Sequence, residues 1–188
     1  GSAQNGVLRL LDSTNLPVDA GGTYRTIVSH GEILSGNVRV TAQINPMGNT
    51  DDVLAIGARM GNGGYGAGFY FTPGELQGRL GMGKRLPNGQ SIDFVSAERV
   101  TQLNQSYFLE MDVIDDPVSG LPAITGRLFD REGGTRVLEQ TFVDSNLGGV
   151  APYRDGSTGV WAFTWGSNVL DVSFDNIRAV TIPEPSTF

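Results

Sequence analysis

The residues with the most chemical potential sit in Glu110-Met111-Asp112-Val113-Ile114-Asp115. Retaining hydrolysis of a glycosidic bond needs two carboxyls about 5–5.5 Å apart, one as nucleophile and one as acid/base. Strand periodicity places Glu110 and Asp112 on one face, and Asp115 joins them only through a bulge. Asp116-Pro117 follows at once as a turn, and no Trp flanks the run to stack a sugar. An acidic strand end is therefore expected, with no catalytic pair. His30 is the only histidine and there is no cysteine. That removes disulfides, thiolate nucleophiles and thiolate zinc sites, and a His-based zinc site fails on ligand count. No Gly-x-Ser-x-Gly elbow accompanies His30 to build a Ser-His-Asp triad. Gly61-Asn62-Gly63-Gly64-Tyr65-Gly66 matches G-x-G-x-x-G literally. A dinucleotide fingerprint requires a helix next, whose N-terminus meets the phosphate. Here Ala67-Gly68-Phe69-Tyr70-Phe71 follows and reads as a strand, so a glycine-rich hairpin is expected.

These residues need elements to hold them, and the elements are strands. Short alternating or β-branched runs are predicted near 7–11, 24–29, 37–44, 53–60, 66–72 and 76–84. Others fall near 92–95, 107–114, 123–130, 136–143, 159–165 and 169–181. Turn dipeptides separate them: Asn62-Gly63, Pro73-Gly74, Asn88-Gly89, Ser119-Gly120 and Gly133-Gly134. No window sustains a 3.6-residue apolar period, and at most one helical turn is expected over 97–105. A dozen strands without intervening helices predict an all-β, two-sheet antiparallel β-sandwich spanning residues 5–181, a size one domain accommodates. Alternation assigns Tyr107, Leu109, Met111 and Val113 to the core, with Phe108, Glu110 and Asp112 opposite. Ile124 and Leu128 point away from Thr125, Arg127 and Phe129. Trp161, Phe163 and Trp165 alternate as a packed face does.

The net charge of −7 and pI near 4.6, without any Lys/Arg run, disfavour nucleic acid and anionic membrane as partners. No apolar run approaches the ~18 residues of a membrane span. Gly1-Ser2 reads as a cloning scar, which leaves room for a secretion signal ahead of the mature chain.

Two resemblances add to this. Ile182-Pro183-Glu184-Pro185-Ser186-Thr187-Phe188 resembles the opening of a PEP-CTERM sorting signal. The resemblance implies Pro183, Glu184 and Pro185 as the sorting motif over residues 182–188, cut short before a membrane helix. It further implies an exosortase as partner, and export to the cell surface or extracellular matrix of a Gram-negative-type bacterium. Most of the chain resembles concanavalin A-like (laminin-G-like) jelly rolls. The segments are 37–44, Val53-Leu54-Ala55-Ile56-Gly57-Ala58-Arg59, Phe69-Tyr70-Phe71, 107–113 and 124–130, closed by Gly159-Val160-Trp161 and Ser173-Phe174-Asp175-Asn176-Ile177. That group includes lectins, carbohydrate-binding modules, glycoside hydrolases and adhesive domains.

By this resemblance Arg59 and Tyr70 line a concave sheet, joined by Glu110, Arg127 and Trp165, as a polysaccharide-binding surface; Arg59 and Arg127 are the favoured contacts. An Arg pair with Glu110 reads equally as a salt-bridge network. The resemblance also implies one structural calcium, with Asp175 as carboxylate ligand and carbonyls from around Asp12 and Gly36; the alternative is that Asp175-Asn176 caps a local turn. Glu110 to Asp115 is similar to the Glu-x-Asp-x-x-Glu strand of family-16 glycoside hydrolases, with Asp115 in place of the final Glu. The expectation is a non-catalytic module that binds a polysaccharide or matrix component. A structural or adhesive domain is the alternative and a glycoside hydrolase the third reading.

Overall fold

In a computed structural model, residues 3–4, 7–12, 25–46, 52–70, 77–102, 104–164 and 170–183 are described. The strands, in chain order, are β1 (Ala3–Gln4), β2 (Val7–Asp12), β3 (Arg25–Ser35), β4 (Val38–Pro46), β5 (Asp52–Met60), β6 (Gly64–Tyr70) and β7 (Gln77–Arg85). They continue as β8 (Ser91–Gln102), β9 (Tyr107–Asp115), β10 (Pro122–Phe129), β11 (Arg136–Val143), β12 (Asp155–Thr164) and β13 (Leu170–Thr181). A single 3-10 turn, Leu147–Gly149, lies between β11 and β12.

The strands form two antiparallel sheets. One has seven strands in the order β1-β2-β13-β4-β9-β10-β11, and the other six in the order β3-β12-β5-β6-β7-β8. The chain changes sheet repeatedly, so each sheet mixes strands distant in sequence, and the hydrophobic layer forms between the two inner faces. Val40, Leu109 and Phe174 from the first sheet meet Ile56, Phe69 and Val160 from the second, all essentially without solvent contact. The period-two assignment for β9 and β10 holds: Leu109, Met111, Val113, Ile124 and Leu128 are buried at 0%. Glycine turns sit at 62–63, 88–89, 119–120 and 133–134 as expected; the 73–74 turn lies outside the described residues.

Two local expectations are corrected. The helical turn over 97–105 is not formed among the described residues, because 97–102 continue β8. The surplus residues there are taken up as bulges against β7, where the register shifts on both sides of Arg79. Trp161 also does not pack as part of an aromatic core face. Val160 and Ala162 are buried apolar residues of β12, and the indole between them lies on the outer side of the sheet.

Candidate functional site

The groove of this molecule is made by leaving side chains out. On the outer face of the six-stranded sheet, cross-strand pairing aligns Gly57, Gly66, Gly83 and Asp93 in one row. The next row runs Trp161, Ala55, Gly68, Gly81 and Val95. Five glycines and an alanine thus occupy the middle of a surface that side chains would ordinarily cover. The result is a trough of about 450 Å³, walled by Trp161, Tyr70, Val95, Asp93, Met60 and Arg85. Its base is firm, because Tyr65, Ala67 and Phe69 of the same β6 point into the core at 1% exposure or less.

Two floor glycines are required by what lies over them. A Cβ on Gly66 would stand 2.9 Å from Cζ2 of Trp161, so the indole extends across that glycine. A Cβ on Gly83 would stand 2.6 Å from Oδ1 of Asp93, so that carboxyl folds down onto the floor. Partial desolvation against the floor raises the Asp93 pKa from its ordinary carboxylate value, while the residue as a whole stays exposed. Among the described residues no hydrogen-bond or ion-pair partner engages it. The arrangement offers an aromatic surface, a carboxylate acceptor and, at the same end, the exposed Arg85 side chain.

The four sequence-predicted ligand contacts among the described residues do not come together. Tyr70 lines the trough. Arg59 is the clear correction: its side chain is 0% exposed, with Nη1 and Nη2 2.9 and 3.0 Å from the Asp115 carboxylate. It also donates to the carbonyls of Tyr153 and Gly36. Simple alternation would have placed it on the outer face beside Gly57. Instead β5 carries one extra residue opposite β12 between Gly57 and Met60, and Arg59 adopts a left-handed φ of 51°, which turns it into the end of the sandwich.

Glu110 and Arg127 lie on the outer face of the other sheet, bonded to each other. Arg127 Nη1 is 2.8 Å from Glu110 and 2.7 Å from Asp112, and its Nε is 2.7 Å from Glu139. Arg39 grips Asp112 from the far side at 2.6 and 2.8 Å. This is the salt-bridge alternative. Burial opposes ionisation of Asp112, but hydrogen bonds from Arg39 and Arg127 outweigh it and hold the carboxyl below its ordinary pKa. Pairing of β9 runs from Tyr107 to Asp115 without a bulge. Asp115 therefore stays off the Glu110 face and binds Arg59, so the family-16 spacing is not formed. Trp165 lies outside the described residues.

The three positions of the expected calcium ligand set lie apart along the first sheet. Asp12 pairs with Leu170, five residues before Asp175, and Asp175 pairs with Gln43, five residues beyond Val38. At ~3.3 Å per residue each separation is about 17 Å, too far for one cation. Gly36, next to that end of β4, already gives its carbonyl to Arg59. Asp175 Oδ1 accepts from the Asn176 amide at 2.7 Å, capping a one-residue bulge in which Asn176 has φ of 51°. The described residues hold no cluster of three or more His, Asp or Glu side chains able to ligate a metal.

Sequence reasoning missed Trp161, Asp93 and the glycine floor. A signal was present: Gly64-x-Gly66-x-Gly68 and Gly81-x-Gly83 repeat glycine at period two on successive strands, which puts the gaps on one face.

No protein-family model matches the chain, and no curated protein matches it in sequence. Solved structures do. The carbohydrate-binding module CBM66 from Bacillus subtilis superposes with a TM-score of 0.59 at 15% identity, over 94% of this chain and 96% of that one. Galectin-Ib from Xenopus laevis gives 0.50 at 9% identity, over 83% and 100%. Congerin II, in a structure holding lactose, gives 0.50 at 11% identity over the same shares. The chain has the two-sheet antiparallel jelly roll shared by concanavalin A-like carbohydrate-binding modules and galectins.

Proposed function

We propose that this domain binds a polysaccharide in the glycine-floored trough of the six-stranded sheet and does not cleave it. The observation that carries the reading is Trp161 extended over Gly66 beside an unfilled trough. A sugar ring presents an apolar face of C–H groups that an indole can cover, while polar groups at the rim take its hydroxyls. Two of the structural neighbours are named for carbohydrate, by function or by bound lactose, which supports the reading. In the acidic strand Glu110 and Asp112 are both paired with Arg127 and Asp115 with Arg59, so the strand presents no free pair of carboxyls for glycosidic cleavage.

Calorimetric titration with a panel of oligosaccharides tests this. Trp161→Ala should weaken binding about ten-fold or more, and reducing-sugar assays on the same glycans should show no release. Unchanged affinity in that variant, or turnover by the parent protein, would remove the reading. The adhesive alternative draws on Val137 and Val143, 38% and 49% exposed on the edge strand β11.

Export and surface sorting belong to the same proposal. Support comes from the Pro183-Glu184-Pro185 run immediately after β13, of which Pro183 is exposed. Deleting that run in a cell that carries the sorting machinery should leave the protein off the surface.

A further inference from the structure

Resting on the reading above, we infer that the trough is specific for neutral, hydroxyl-bearing glycans, with Asp93 as the specificity-determining residue. Most described carboxylates elsewhere on or beside the sheets have partners, Glu98 and Asp155 being exceptions outside the trough. Glu110, Asp112, Asp115, Glu139 and Asp144 meet arginine or lysine, and Asp175 takes its neighbour's amide. Asp93 is the carboxylate that lines the trough, laid on the floor at Gly83 with no such partner among the described residues.

Its position relative to Trp161 carries the inference. Gly66 and Gly83 face each other across β6 and β7, and facing Cβ positions lie about 5 Å apart. The indole reaches to 2.9 Å of one and the carboxyl to 2.6 Å of the other, so the two groups stand within roughly 10 Å. A monosaccharide stacked on the indole therefore brings its edge to the carboxylate. A carboxylate is acceptor-only and takes two hydroxyl donors at once. The same charge repels a uronate or sulfate at that edge against the pull of the exposed Arg85 at the same end, and the molecule's net −7 adds to the repulsion at low salt.

The experiment compares neutral agarose and β-glucan oligosaccharides with carrageenan and alginate oligosaccharides by calorimetry at low ionic strength. It uses the parent protein, Asp93→Ala, Asp93→Asn and Trp161→Ala, with circular dichroism confirming the fold of each. We expect neutral ligands to bind at least about ten-fold tighter than anionic ones, a loss of about ten-fold for neutral ligands in Asp93→Ala, and a narrowed preference in Asp93→Asn. Anionic glycans binding as well as neutral ones would overturn the specificity. So would loss of binding in Trp161→Ala with no change in either Asp93 variant, which leaves the groove reading standing. If no glycan binds, or Trp161→Ala and Asp93→Ala are both without effect, the groove reading falls and this inference with it.

Discussion

A carboxylate laid against a sheet with no cation to meet it costs the folded chain something, and Asp93 shows this as a raised pKa. In the window between the unfolded and folded pKa values the native state holds more protons than the unfolded one, so the Asp93 contribution to stability falls as pH rises through that window. Asp93→Asn should therefore raise the melting temperature near pH 7, by no more than about 2 °C because one side of the residue keeps solvent. The gain should vanish below the ordinary carboxylate range, where the parent is itself protonated; a variant that melts lower at pH 7 would contradict the burial argument. Arg59 is the opposite case, a cation removed from solvent whose Nη1 and Nη2 are both engaged. Its sequence setting, at the end of an apolar strand, gave no sign of this, since its partner Asp115 is 56 residues away and the turn that buries it is a bulge. Trp161 was misassigned because alternation shows which residues share a face but does not say which face is inside. Val160 and Ala162, both small and apolar, occupied the inside positions.

Strands in this molecule are fastened by ions on two levels. On the outer face of the seven-stranded sheet, Arg39 of β4, Asp112 and Glu110 of β9, Arg127 of β10 and Glu139 of β11 form one ladder across four strands. Asp112 titrates below its ordinary value, so its stabilising contribution is complete above the unfolded pKa and is lost as pH falls through the folded one. Asp112→Ala should cost about 1–3 kcal/mol in urea unfolding at pH 7, with the difference shrinking under acid. The second fastening is internal. Lys84 of β7 and Asp144, just after β11, are both at 0% exposure and 2.8 Å apart. Tyr65 donates to Asp144 at 2.7 Å and accepts from the Tyr153 amide, while Lys84 also donates to the carbonyls of Val150 and Ala151. Burial, and then the bond to Asp144, drive the Tyr65 phenol far above its usual pKa. The connection between β11 and β12 is thereby tied to the six-stranded sheet, and Tyr153 donates onward to the Arg85 carbonyl at the groove wall. Lys84→Met should destabilise by ~3–5 kcal/mol, since it strands a buried carboxylate. Hydrogen exchange over 144–153 should quicken more than elsewhere; uniform acceleration would argue against a local tether.

At the scale of the molecule, the two-sheet sandwich was legible because strand alternation and turn dipeptides are local signals. Positions 107–113 and 124–128 fall on the faces that alternation assigns. The candidate site was less so, because it is assembled from β5, β6, β7, β8 and β12, whose order in the sheet no local pattern states. The spread of the expected calcium ligands was hidden for the same reason: Asp12, Gly36 and Asp175 are distributed along two strand pairings that keep them apart. Asp175→Ala should accordingly leave the protein's melting response to chelator and to millimolar Ca²⁺ unchanged. A Ca²⁺-dependent shift abolished by that variant would bring the site back. The glycine floor has a consequence for how such a protein diversifies. Nothing smaller than glycine exists, so Gly66, Gly68, Gly81 and Gly83 mark the deepest trough this backbone can offer, and every substitution among them makes it shallower. Divergence from this sequence is one-way in that respect: descendants can narrow their choice of ligand by filling the floor, while accepting a bulkier one would require the strands themselves to move.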